Sequence, residues 1–129
     1  MNSIQTISIL MPVKNASSYL GECIDSIRNQ SCTNWEMICV DDHSTDNSWQ
    51  LLRDHSISDK RIKTFKNPGS GIINALRKAY SESKGKIIHR MDSDDLMPEN
   101  KLIWMSDELI KAGKGSLITG RVKYFSSEA

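Results

Sequence analysis

The chain has 129 residues, 38% hydrophobic and 26% charged, which suits one globular domain and excludes two domains, a fibrous protein or a disordered one. Its formal net charge of +1 gives no global electrostatic basis for binding nucleic acid. Three scattered cysteines, Cys23, Cys32 and Cys39, have no CxxC spacing, which argues against a disulfide framework or a zinc site; Cys23 and Cys39, in apolar runs, read as buried thiols, which fits a reducing compartment.

Ile7 to Val13 is a short apolar run ending in polar residues, and reads as a buried strand entering a loop. Leu20, Cys23, Ile24 and Ile27 follow at the spacing of one helical face, with Ser17 or Ser18 placed to cap it. Trp35 to Val40 is a second strand, stopped by Asp41-Asp42. The polar run Ser44 to Ser48 has helix-capping chemistry, with Asp46 as a cap, and Trp49, Leu51 and Leu52 begin a weaker helix. Ile62 to Phe65 is a third strand; the basic residues from Lys60 to Lys66 read as a solvated strand entry. Asn67 to Gly71 is a loop by composition. Ile72, Ile73, Leu76, Ala79 and Tyr80 form another helical stripe, which Gly85 ends. Lys86 to Met91 is a fourth strand. Pro98 suits a first helical turn, Leu102, Ile103, Met105, Leu109 and Ile110 form that helix's stripe, and Gly113 its C-terminal cap. Ser116 to Phe125 reads as a fifth, extended segment.

Strands alternating with helices imply an α/β fold, a mostly parallel sheet with helices on both faces. Ligands of such sheets bind beyond the carboxyl ends of the strands, so the residues just after strand ends should matter most. Three of those ends are polar: Pro12 to Asn15, Asp41 to Asp46, and Asp92-Ser93-Asp94-Asp95. Two acidic clusters on one sheet edge repel unless a cation or hydrogen-bond donors compensate, and carboxylates suit Mg or Mn. A lone Asp-x-Asp says little, since ten aspartates in 129 positions give about 0.8 such triplets by chance. The preceding strand, the facing acidic cluster and the Pro98 that follows give it weight.

His43, His55 and His89 lack metal-site spacing; His55 reads as a surface residue and His89 as a satisfied core or face residue. Trp35, Trp49 and Trp104 read as core or sheet cover. The N-terminus shows no signal-peptide pattern, and no run approaches the ~20 apolar residues that span a bilayer.

The runs Met11-Pro12-Val13-Lys14-Asn15, Ser26 to Ser31, Cys39 to Asp46 and Met91 to Asp95 with Pro98, in that order, resemble the family 2 glycosyltransferases. The resemblance covers Ile7 to about Ile118. It implies the Rossmann-like nucleotide-binding half of the A-type glycosyltransferase fold, with residues 1–129 forming a nucleotide-sugar-binding (donor) domain cut short at its C-terminal end. It implies inverting transfer of a sugar from a nucleotide-diphosphate sugar, a UDP-sugar first, to a saccharide or lipid-linked acceptor, with Mn or Mg as cofactor. On that pattern Asp41 would accept a hydrogen bond from the base, while Pro12, Val13 and Asn15 line the nucleoside pocket. Asp92 and Ser93 would lie at the ribose or donor sugar, Asp94 would be the main metal ligand with Asp92 beside it, and Asn67 to Gly71 with Asn74 would lie near the donor. His43 stands where the family more often has glycine. The general base, which an inverting transfer needs, is expected beyond Ala129. Cytoplasmic localisation, with peripheral contact at the inner face of the cell membrane, is the family's habit. The alternative is a catalytically inactive nucleotide-binding module. A nucleotidyltransferase would carry a glycine-rich loop after the first strand, and none precedes Gly21. A purely structural domain leaves the facing acidic clusters unexplained.

Overall fold

The computed structural model describes residues 6–113. Four strands, β1 (Ile7–Val13), β2 (Trp35–Asp41), β3 (Ile62–Lys66) and β4 (Ile87–Arg90), alternate with four helices, α1 (Leu20–Arg28), α2 (Ser48–Ser58), α3 (Ile72–Glu82) and α4 (Lys101–Ala112). The strands form one wholly parallel sheet in the order β3-β2-β1-β4. The expected alternation and α/β class therefore hold; the expected segment Ser116 to Phe125 lies outside the described residues.

β1 and β2 are buried along nearly their whole length because helices cover both faces, which is why they read as continuous apolar runs. Ile7, Ile9, Met11 and Val13 of β1 pack with Leu20, Cys23, Ile24 and Ile27 of α1, Leu52 of α2 and Leu102 of α4. The alternate residues, Leu10 of β1 with Ile38 and Val40 of β2, pack against Ala75 and Ala79 of α3. Among the described residues, one face thus carries α1, α2 and α4, and the other α3.

Several local expectations change. No serine caps α1: Tyr19 occupies the cap position without a side-chain bond, and the Ser17 amide goes instead to Asp46 Oδ2. The stripe of α3 is rotated from the expected one. Small Ala75 and Ala79 face the sheet, whereas Ile72, Ile73 and Tyr80 are exposed. In α4 only Leu102 is buried, and Ile103, Trp104 and Ile110 are exposed, so Trp104 is neither core nor sheet cover. Pro98 lies ahead of α4, where its carbonyl accepts the Lys101 amide, rather than in its first turn. Gly113 does close α4, at φ 93°. Gly85 lies beyond the end of α3 and serves close approach: a Cβ there would lie 2.6 Å from both the Thr6 carbonyl oxygen and Ser8 Oγ. His89 is not satisfied, since its buried Nδ1 has no hydrogen-bond partner among the described residues. No described helix is long and apolar enough to cross a membrane.

The amino edge of the sheet is tied by a buried carboxylate. Glu36 accepts from Ser8 Oγ and the Lys84 amide, both at 2.6 Å, and pairs with Lys63 Nζ at 2.8 Å. Burial works against its ionisation, but the Lys63 and Ser8 hydrogen bonds outweigh burial and hold its pKa down to about 2. A carboxyl with a depressed folded pKa stabilises above its unfolded pKa and loses that contribution as pH falls through the folded value. Stability should therefore drop by on the order of 2 kcal/mol between about pH 5 and pH 2 from this group. Urea titrations across that range should show the drop in the parent protein and a flatter profile in Glu36→Gln; equal profiles would contradict the assignment.

Candidate functional site

The carboxyl edge is built by register. β1 and β2 are paired from Ile7↔Trp35 to Val13↔Asp41, so the loops after Val13 and Asp41 leave the sheet side by side. β4 pairs with β1 on the other side, up to Leu10↔Arg90, and the acidic segment follows two residues later. The loops are clasped by hydrogen bonds. Asn15 donates its amide to Ser44 Oγ at 2.9 Å and accepts the Thr45 amide on Oδ1 at 2.8 Å. The Ala16 amide donates to Ser48 Oγ, and Asp46 accepts the Ser17 and Ser48 amides. The Ser48 hydroxyl, with the Ser48 and Ser17 amides, holds the Asp46 carboxyl well below the usual carboxylate range. Asp46 thus bridges the two loops and accepts the Ser48 amide at the start of α2, while the cap position expected of it belongs to Asn47.

Asn15 and His43 take left-handed backbone, at φ 49° and 56°. Asn and His tolerate that region better than most residues, and glycine better still. His43 Nε2 also lies 2.7 Å from the Gly69 carbonyl oxygen, tying the β2 loop to the loop before α3.

Strand alternation separates the two adjacent aspartates. Asp41 continues β2 on the α1–α2 face; its Oδ2 accepts the Ser44 amide at 3.2 Å, and its buried Oδ1 has no partner among the described residues. Asp42 turns to the α3 side, where its carboxylate accepts Asn67 Nδ2 and the Gly71 amide, each at 3.1 Å. Of the pair it is Asp42, not Asp41, that reaches the wall of the cavity at this edge.

That cavity has a volume of about 650 Å³. Pro12, Val13, Lys14 and Asn15 form one side, with Ala16 and Tyr19 beyond them. Gly71 and Ile72 bring the amino end of α3 to it, and Arg90, Asp92, Ser93 and Asp94 close it. Six of the seven site residues named from sequence (Pro12, Val13, Asn15, Asp92, Ser93 and Asp94) therefore line one space, and Asp41 lies behind it. The sequence reading passes over Arg90 and Tyr19, and of the pair Asp41 and Asp42 it names Asp41. For Asp42 a signal existed: Val40 belongs to the α3 face, so Asp42 does too.

Asp92, Asp94 and Asp95 each offer a carboxylate oxygen, all within 4.8 Å of one another, on exposed side chains. Burial, then Asp92 and Asp94, raise the pKa of Asp95. Three hard oxygen donors at this spacing fit a Mg or Mn ion, which would relieve their mutual repulsion. Asp95 thus joins the expected pair. The turn holding them is closed by the Asp95 amide on the Asp92 carbonyl at 3.1 Å. Beneath it lies buried Cys23, whose thiol is pushed up to about 12, first by burial and then by Asp95, Asp94 and Asp92.

A buried glutamine braces the segment that follows. Gln30, just past α1, donates from Nε2 to the Met97 and Pro98 carbonyls at 3.2 and 2.7 Å and accepts the Leu102 amide on Oε1 at 3.2 Å. Ser26 Oγ accepts the Met97 amide at 3.0 Å. The run Ser26 to Ser31 thus fixes the acidic turn through the chain that leaves it.

Residues 8–129 match the sequence pattern of the family described as Glycosyl transferase family 2. Among curated relatives, the chain is 37% identical over 100 residues to "Glycosyltransferase GlyG" of Streptococcus pneumoniae, covering 76% of this chain and 33% of that protein. Among solved structures it is similar to S. aureus TarS 1-349 in complex with UDP-GlcNAc, with a TM-score of 0.74 and 20% identity over 91% of this chain and 37% of the other. It is also similar to a mannosyltransferase from Pyrobaculum calidifontis in complex with GDP-Man and Mn2+, with a TM-score of 0.66 and 23% identity over 77% of this chain and 30% of the other. These likenesses place the sheet and its helices in the A-type glycosyltransferase fold. The chain spans about a third of the length of each of these proteins.

Replacing Gln30 by leucine would keep the side chain's bulk but remove its bonds to the Ser26, Met97 and Pro98 carbonyls and leave the Leu102 amide without its side-chain acceptor; of these the Pro98 carbonyl keeps the Lys101 amide. Gln30→Leu should cost about 2–4 kcal/mol in urea unfolding. A loss below about 0.5 kcal/mol would show that the brace is not structural.

Proposed function

The chain belongs to glycosyl transferase family 2, and from that premise we propose that its cavity binds the nucleoside diphosphate of a sugar donor, a UDP-sugar first, through a divalent metal. The full-length protein then transfers the sugar, with inversion, to a saccharide or lipid-linked acceptor. The observation that carries this reading is the meeting of three carboxylates within 4.8 Å at the mouth of a cavity whose other wall is Pro12 to Asn15. TarS with UDP-GlcNAc and the mannosyltransferase with GDP-Man and Mn2+ support the class of ligand and metal.

The roles follow from position. Asp94, with Asp92 and Asp95 beside it, would hold Mn or Mg, and the ion would offset the charge of the donor diphosphate as its bond to the sugar breaks. Pro12, Val13 and Asn15 would flank the nucleoside, partly through backbone. Asp41, whose buried Oδ1 has no partner among the described residues, would accept a hydrogen bond from the base, with Asp42 at the cavity wall beside it. Asp92 and Ser93 would meet the ribose or sugar. The only acidic residues along the described wall of the cavity are Asp42, Asp92 and Asp94, which this reading commits to donor and metal. The general base is therefore assigned outside the described residues. A lipid-linked acceptor would bring the protein to the inner face of the cell membrane.

Calorimetry of UDP on the full-length protein tests the reading. Binding should require Mn2+ or Mg2+, be abolished by EDTA, and weaken at least tenfold in Asp94→Ala, a change of about 1.4 kcal/mol. Equal UDP affinity in metal for Asp94→Ala and the parent would sink the metal role.

A further inference from the structure

The cavity holds a cation to which the donor-binding reading gives no task. Arg90 ends β4 and stands in register with Leu10, so it projects on the α3 face of the sheet, beside the cavity wall at Ile72. Its Nη2 lies 3.4 Å from Asp92 Oδ1, and both side chains are about half exposed, at 53% and 54%. One long contact between half-exposed partners is weak and uses a single one of the five guanidinium donors. Among the described residues, neither Asp94 nor Asp95 forms an ion pair. Three carboxylates and the two charges of a sugar diphosphate outweigh a divalent cation by about three charges. A further fixed cation beside the triplet is therefore favourable in the loaded site as well as in the metal-free one.

We propose that Arg90 is a positioning residue with a different partner in each state of this site. Without metal, its guanidinium holds Asp92 and offsets part of the triplet's repulsion. With metal and nucleoside diphosphate present, it donates to a diphosphate oxygen, for which its planar fork is suited. The inference rests on the donor-site reading above and adds to it a competition between Arg90 and the metal for Asp92.

The two halves predict opposite signs for one substitution. In the full-length protein, Mn2+ alone, followed by electron paramagnetic resonance, should bind R90Q about two- to fivefold more tightly than the parent, because a competing charge is gone. UDP in saturating Mn2+, followed by calorimetry, should bind R90Q at least tenfold more weakly, the scale of one charge-assisted hydrogen bond. R90K should keep the parent's Mn2+ affinity and recover part of the UDP affinity. A merely structural role would move both affinities of R90Q in the same direction, and that result, or no change in either, overturns the inference. If the parent binds no UDP in Mn2+, the donor-site reading falls and this inference with it. If the parent binds and R90Q matches it, only this inference falls.

Discussion

The parallel pairing of β1 sets the terms for everything at the carboxyl edge. β1 has β2 on one side and β4 on the other, is buried almost throughout, and packs on helices at both faces. In a parallel sheet every strand finishes at the same edge. The polar residues after Val13, Asp41 and Arg90 therefore have to meet there. A slip of one residue in β1 would exchange its two buried faces, setting Leu10 against α1 and Met11 against α3. It would also break the match between Asn15 and Ser44 that joins the loops. Packing on both faces is thus what fixes the chemistry at the edge.

The edge concentrates negative charge at a cost that the fold meets in two ways. Asp41, Asp42 and Asp46 are all engaged by backbone amides, so their charge is spent on holding loops in place. Among the described residues, the side chains of Asp92, Asp94 and Asp95 accept no backbone amide and stand exposed with their oxygens converging. The contrast distinguishes carboxylates used for architecture from carboxylates available to a ligand. The turn that carries the second group has little regular structure of its own. It is fixed from below by Cys23 and Ser26 of α1 and by Gln30 just past it.

The residues that the sequence made legible are those with one dominant physical determinant. β1 is found at Ile7–Val13 as expected and β2 starts where expected, because two-sided burial writes a continuous apolar run. The polar strand ends were legible as a site for the same reason, since an α/β sheet has one binding edge. The residues that misled answer to several determinants at once. In α3, exposed Ile72, Ile73 and Tyr80 outweigh small Ala75 and Ala79 in any hydrophobic stripe, yet close helix–sheet packing selects the alanines. In α4, Leu102 alone is buried, so an apolar stripe there did not mean core. Arg90 escaped notice because an arginine at a strand end reads as solvated, and only the pairing with β1 shows where it points. The two-residue period of β2 sets Asp41 and Asp42 on opposite faces, so adjacency in sequence does not make them equivalent.

The central claim is that a divalent metal sits among Asp92, Asp94 and Asp95 and carries the donor diphosphate against Pro12 to Asn15. Crystals of the full-length protein grown with UDP and Mn2+, and recorded at the manganese absorption edge, would locate the ion by its anomalous signal. The account predicts a single strong peak within coordinating distance of the Asp94 carboxylate, with diphosphate oxygens on its other side and the uracil at the Asp41–Asp42 end of the site. A bound UDP with the manganese peak elsewhere, or with no peak at the triplet, would contradict it.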